Sequence, residues 1–351
     1  MVTTHGTCMA LCLQAGDCPE PAPSGAVSSS PGNKSLTQNF PPHRHSALHM
    51  KRWPLISSIA AALAITAGCA ALDAKQREWI FQPSDRAWNG AHLSKGMQDV
   101  WIDFDSTVTA QAEQLHGLWM PASQPGAPVM LYLHGARWNV TGSAPRIRRM
   151  HDMGFSVLAV DYRGFGRSSA GLPSESTALE DAHAAWRWLA RKAPQSDRYI
   201  FGHSLGGAIA IDLAAQVPDE KGTIVEGTFT NIAEVVSTFK WGWLPISGLI
   251  TQRFESIRKV AHIGSPLLVV HGSDDRLILP SLGRKLYEAA QEPKRFVMVE
   301  GGTHHNTNDL GQEQYREALA DFFKLPLPGG TSHLAPAPPA AVAATPAPTR
   351  S

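Results

Sequence analysis

Tyr199-Ile200-Phe201-Gly202-His203-Ser204-Leu205-Gly206-Gly207 is the stretch that decides how this chain is read. Three apolar residues lead into Gly202, as at the end of a buried strand. Ala208, Ile209, Ile211, Leu213 and Ala214 then follow as the apolar positions of a helix. Between the two lies Gly-x-Ser-x-Gly. A serine hydroxyl reacts only when it is held in the open, and a tight strand-to-helix turn does that. Such a turn leaves no side-chain room two positions to either side, and Gly202 and Gly206 meet the demand. The turn also sets Ser204 at a helix N-terminus, where the Leu205 N–H can point at an oxyanion. The motif, its flanking strand and helix, and the third glycine together mark Ser204 as a nucleophile.

Working outward, near-continuous apolar runs recur at 128–133, 155–160, 223–226, 267–270 and 296–299, as expected for strands covered on both faces. Helical spacing recurs between them, near Arg146–Met153, Leu179–Leu189, Leu282–Gln291 and Gln314–Phe323. Val100–Phe104 and Ala112–Trp119 read as a preceding hairpin. The alternation predicts an α/β fold, a doubly wound, mostly parallel sheet with helices on both faces. Only about 40 residues separate Glu226 from Leu267, too few for a large cap domain.

A serine hydroxyl needs a base, and the base needs an orienting group. In an open parallel sheet such groups sit on loops beyond the carboxyl ends of strands. His271-Gly272-Ser273-Asp274-Asp275 follows one strand, and Glu300-Gly301-Gly302-Thr303-His304-His305 follows the last. The chain order Ser, Asp, His agrees with the elbow fold. Position alone leaves Asp274 and Asp275, and His304 and His305, as neighbouring alternatives. Glu226 ends a strand at the same edge and reads as a buried, paired carboxylate. His134 and His271 read as structural hydrogen-bonders, and Asp161 and Arg163 as braces of the glycine-rich loop 161–168.

Leu133-His134-Gly135, Asp161-Tyr162-Arg163-Gly164-Phe165-Gly166-Arg167-Ser168, Gly202-His203-Ser204-Leu205-Gly206-Gly207, His271-Gly272-Ser273-Asp274-Asp275 and Gly302-Thr303-His304 together resemble the α/β-hydrolase superfamily, in its serine aminopeptidase-like (S33-type) or BEM46-like group. The resemblance spans about residues 76–325. It implies an α/β-hydrolase fold with Asp275 as the acid and His304 as the base. It also implies an oxyanion hole from the backbone N–H groups of Ala136 and Leu205. The activity it implies is a serine hydrolase that cleaves carboxylic esters through an acyl-enzyme, without a cofactor. A peptidase or amidase, and a thioesterase or lipid deacylase, use the same three groups. A non-catalytic envelope scaffold is the reading from another class, and the intact Ser204, Asp275 and His304 set argues against it. A dehalogenase would need Asp at position 204.

The formal net charge of +1 carries no nucleic-acid footprint, and no His/Cys/Asp cluster has metal-ligand spacing. Residues 161–166 hold Gly-x-Gly without the rest of a dinucleotide fingerprint. All four cysteines precede residue 70, so the catalytic region carries no disulfide. Residues 1–49 are rich in Pro, Ser, Gly and His and read as a disordered leader or an over-extended start. Residues 50–72 open with Met50-Lys51-Arg52, continue in an apolar run and end in small residues, as a secretory signal, lipoprotein signal or membrane anchor does. Thr66-Ala67-Gly68-Cys69 resembles a lipobox and makes Cys69 the lipidation candidate. The expected location is the bacterial cell envelope, with a catalytic domain over 76–325 anchored by helix or lipid. Residues 326–351 form a Pro/Ala-rich tail expected to be disordered. Phe239–Ile246 is unusually apolar for a connection, and Trp241 and Trp243 are candidates for a wall against a small-molecule ester or lipid-like substrate.

Overall fold

Val129–Leu133 shows how the sheet is built, because all five side chains are buried and alternate between two cores. Leu131 and Leu133 pack with Ala182, Ile200 and Ile209. Met130 and Tyr132 pack with Ile147, Met150 and Tyr315. A strand apolar on both faces needs a layer on each face. The computed structural model describes residues 53–84, 91–239 and 247–326. The expectations for the leader 1–49, for the tail beyond residue 326, and for Trp241 and Trp243 lie outside the described residues.

The described chain opens on a helix, α1 (Trp53–Phe81), followed by the hairpin of β1 (Gln98–Asp105) and β2 (Ala112–Met120). Strands and helices then alternate through β3 (Val129–Leu133), α2 (Ala144–Asp152), β4 (Ser156–Val160), α3 (Glu175–Lys192), β5 (Arg198–His203), α4 (Leu205–Ala214) and β6 (Glu220–Glu226). Two short helices, α5 (Ile232–Ser237) and α6 (Ser256–Lys259), lead to β7 (Leu267–Gly272), α7 (Pro280–Ala289), β8 (Lys294–Val299), α8 (Thr307–Leu310) and α9 (Gln312–Glu317). The sheet order is β1-β2-β4-β3-β5-β6-β7-β8. The hairpin joins β4 antiparallel, and every neighbour from β4 to β8 is parallel. This is the doubly wound sheet expected, with no large cap among the described residues between β6 and β7. Strand order reverses between β3 and β5, and ligands of open α/β sheets bind in the crevice beyond that point.

Helix α1 runs past Leu72, where the apolar run ends. Asp73–Glu78 contains no glycine or proline, so nothing in it stops a helix. Its two parts differ in environment. Ile56, Leu63 and Ile65 are exposed, whereas Phe81 is fully buried against Phe165 and Phe254. Arg77 donates to the carbonyls of Leu172 and Pro173, and Gln76 bonds the carbonyl of Leu249 and the N–H of Thr251. The final turns are thus fastened to the sheet domain through both core packing and hydrogen bonds.

Candidate active site

Ser204 stands between β5 and α4 at φ 56°, ψ −121°, a backbone region that residues other than glycine rarely occupy. Its surroundings hold it there. A Cβ on Gly206 would lie 2.1 Å from the Leu133 carbonyl oxygen, so strand β3 presses directly on the elbow. The Ser204 N–H donates to the Glu226 carbonyl at 2.9 Å. The Ser204 carbonyl accepts from the Thr228 hydroxyl at 2.8 Å.

The loops after β7 and β8 bring the other two groups to this turn. His304 Nε2 lies 2.9 Å from Ser204 Oγ, and His304 Nδ1 lies 2.8 Å from Asp275 Oδ2. Asp275 Oδ1 accepts the N–H groups of Leu277 and Ile278 at 3.0 and 2.9 Å. Burial alone would raise the Asp275 carboxyl, but hydrogen bonds from His271 and His304 and from the Ile278 N–H hold it well below the usual carboxylate range. An ionised Asp275 keeps the proton on Nδ1, which leaves the Nε2 lone pair facing the serine. Asp274 and His305 are exposed outside this chain of contacts.

Gly135 and Ala136 form the turn after β3. Ala136, Ser204, Leu205 and His304 line one cavity of about 690 Å³. Its lining combines apolar side chains, among them Phe229, Val235, Phe239, Leu277 and Ile278, with polar and charged ones, among them Arg137, Arg146, His203, His305 and Asp309. Trp79 and Ile80, from the end of α1, add to the apolar lining, and Trp79 meets Phe239 edge-on at 6.3 Å. Sequence reasoning missed both residues. The only available signal was the apolar triplet Trp79-Ile80-Phe81 behind a polar stretch.

The bracing residues are accounted for by contacts. Asp161 accepts the Val140 N–H at 2.6 Å, and Arg163 is paired with Asp181 at 2.7 Å and reaches the Thr177 carbonyl. His134 Nδ1 contacts the Gly135 carbonyl at 2.7 Å, and His271 Nε2 the Ile278 carbonyl at 2.9 Å. Glu226 is buried and paired with Arg146 at 3.1 Å. Cys69 is exposed on α1.

Residues 124–256 match the family described as serine aminopeptidase, S33. The uncharacterized protein Rv2307c of Mycobacterium tuberculosis is 32% identical over 253 residues, covering 71% of this chain and 87% of that one. The chain belongs to the α/β-hydrolase superfamily. Other relatives of this hydrolase are lysophosphatidylserine lipase ABHD12 of Danio rerio, 29% identical over 71% of this chain and 74% of that one, and YfhR of Escherichia coli, 29% identical over 64% and 82%. Among solved structures, the Pyrococcus furiosus esterase Pf2001 superposes with a TM-score of 0.55 at 20% identity, covering 69% of this chain and 98% of that one. That likeness shows the fold shared by α/β-hydrolases and leaves the substrate to be argued from the site.

Proposed function

We propose that this hydrolase cleaves carboxylic esters, with Ser204 as nucleophile, His304 as general base and acid, and Asp275 as the group that orients and charges-balances the imidazole. The hydrogen-bonded chain from Ser204 Oγ through His304 to Asp275 carries the reading. Ser204 Oγ attacks the ester carbonyl carbon as its proton passes to His304 Nε2. The oxyanion is received by the N–H groups of Ala136 and Leu205. Collapse breaks the bond to the alkoxy oxygen, which leaves as the alcohol with the proton from His304. Water then enters by the same route, and the acyl-enzyme is hydrolysed to the acid with Ser204 restored. No cofactor enters these steps.

The second reading is a lipid deacylase acting on a single-chain amphiphile. The cavity favours it, because its lining combines apolar side chains with the cations Arg137 and Arg146. Relatives described as lysophosphatidylserine lipase agree with that chemistry. An aminopeptidase is less well supported. Asp309, the carboxylate in the cavity lining, pairs with Arg149, and the buried Glu226 pairs with Arg146.

Helix α1 supplies the proposed anchor. It is long and apolar enough over Ile56–Phe81 to cross a membrane. The run of roughly 20 residues from Trp53 to Leu72 would span about 30 Å, the thickness of a bilayer core. The catalytic domain then stands at a membrane, on the envelope side if the segment acts as an export signal. Acylation at Cys69 is the alternative anchor.

The test is hydrolysis of p-nitrophenyl esters from acetate to palmitate by the wild type and by Ser204→Ala. The reading expects turnover by the first and none above background by the second. A folded wild type that cleaves no ester in the series contradicts it.

A further inference from the structure

Arg146, His203, Glu226 and Tyr315 are polar, buried and idle in the reaction just described. Glu226 is fully buried and the Arg146 side chain is 13% exposed. Taking such a pair out of water is costly for each ion, and its attraction only offsets this when the geometry is good. Here both carboxylate oxygens of Glu226 and two of the Arg146 nitrogens have partners. Glu226 Oε1 accepts from Arg146 Nε at 3.1 Å, and Oε2 accepts from the Tyr315 hydroxyl. Arg146 Nη2 donates to the His305 carbonyl at 3.1 Å and approaches the His304 carbonyl at 3.5 Å. His203 Nε2 lies 3.0 Å from that same His304 carbonyl.

The His203 ring has a fixed role in this set. Burial and the Arg146 cation hold it well below the usual histidine range, so it is neutral and carries one N–H. Its Nε2 lies 3.0 Å from the His304 carbonyl and 3.3 Å from Arg146 Nη2, so the ring packs against both the arginine and the histidine loop. Glu226 also reaches the nucleophile, because its own carbonyl accepts the Ser204 N–H at 2.9 Å. One residue at the end of β6 therefore touches the backbone of the serine directly and the backbone of the histidine loop through Arg146. Asp275 governs only the rotation of the imidazole. The place of the His304 main chain is a separate degree of freedom, in a loop that contains Gly301 at φ 68° and Gly302.

We propose that Arg146 and Glu226, with His203, are positioning residues that hold the main chain of His304 and so set the distance from its Nε2 to Ser204 Oγ. The inference rests on the reading of Ser204 and His304 as nucleophile and base. It assigns the pair a role in rate, beyond its part in packing.

The test uses the full chain and counts active sites by reaction of Ser204 with a fluorophosphonate. Arg146→Met combined with Glu226→Gln removes both charges, so no buried ion is left alone, and Gln can still accept from Tyr315. Misplacing a reacting group by about 1 Å costs on the order of 100-fold. The double variant should therefore lose about 10- to 100-fold in kcat per active site, with KM within about twofold. The phosphonate labelling rate should fall by the same factor. Arg146→Lys, which keeps the charge but has one nitrogen where two are used, should fall in between and also covers the case of a double variant that does not fold. A lower melting temperature with unchanged labelling rate per folded site overturns the proposal. A raised KM at unchanged kcat does so as well, because Arg146 would then be a substrate contact. If the wild type itself takes no phosphonate at Ser204, the underlying reading fails instead.

Discussion

The carbonyl of Phe81, the last residue of α1, accepts the backbone N–H of Arg137 at 2.8 Å. Arg137 directly follows Ala136, the proposed oxyanion donor, and both Arg137 and Trp138 sit at positive φ, 68° and 61°. The end of an apolar helix therefore restrains the turn that carries the proposed oxyanion N–H. The Phe81 ring, buried against Phe165 and Phe254, fixes where that carbonyl lies.

Phe81→Ala should cost about 3–5 kcal/mol of stability, as removal of a buried aromatic ring does. It should also lower kcat of the folded enzyme several-fold. Phe155→Ala, on the opposite face of the sheet, should cost similar stability and leave kcat of the folded fraction unchanged. Urea midpoints and kcat per active site, measured together, distinguish a restraint on the oxyanion turn from plain core packing.

Asp275→Asn should reduce kcat by roughly 10⁴-fold with little change in KM, because the amide no longer favours the tautomer with Nε2 free. The Asp275 carboxyl is held below its ordinary range in the folded protein. Its contribution to stability is thus complete above about pH 4 and is lost as pH falls below the carboxylate range of the unfolded chain. Urea midpoints followed down the acid limb should fall more steeply for the wild type than for the variant.

Glu220 should show the opposite sign. It is buried, accepts from the Ser265 hydroxyl at 2.6 Å, and is raised from 4.5 to about 7, chiefly by burial. The unfolded chain loses this proton near pH 4.5 and the folded one near pH 7, so stability falls as pH rises through that window. Glu220→Gln should match the wild type at about pH 4.5 and exceed it by on the order of 1–3 kcal/mol at about pH 8.5. Thermal melts at the two pH values provide the comparison.

Trp79 and Phe239 meet in the lining of the cavity. Trp79→Ala should lower kcat/KM for a decanoyl ester by about 10-fold and for an acetyl ester by about twofold, since each methylene that loses its contact forfeits up to roughly 0.8 kcal/mol. Equal losses across the ester series would place the acyl chain elsewhere.

The fold and the serine elbow were legible because their causes are local. Gly202 and Gly206 are demanded by contacts within a few residues of Ser204 and with β3, and buried strands announce themselves as apolar runs. Adjacent pairs were harder. In the turn after β7 the Asp274 N–H bonds the Gly302 carbonyl while its side chain turns to solvent, and Asp275 alone faces His304. That choice depends on how two loops meet, which spacing alone does not encode. In the sequence Arg146 stands only at the start of a helical stretch, and its partner Glu226 lies 80 positions away. Only the fold, which brings the Arg146 side chain from α2 to the end of β6, reveals the pair. Trp79 and Ile80 were hidden because Asp73–Glu78 looks like the end of an apolar segment, although its residues continue the same helix.

The most direct measurement is intact-protein and peptide mass spectrometry of the folded chain after reaction with a fluorophosphonate. The account predicts one adduct per chain, on the peptide carrying Ser204, with labelling abolished by Ser204→Ala and strongly slowed by His304→Ala. An adduct on another residue, or none on protein shown to be folded, would contradict the assignment of Ser204 and His304 as nucleophile and base.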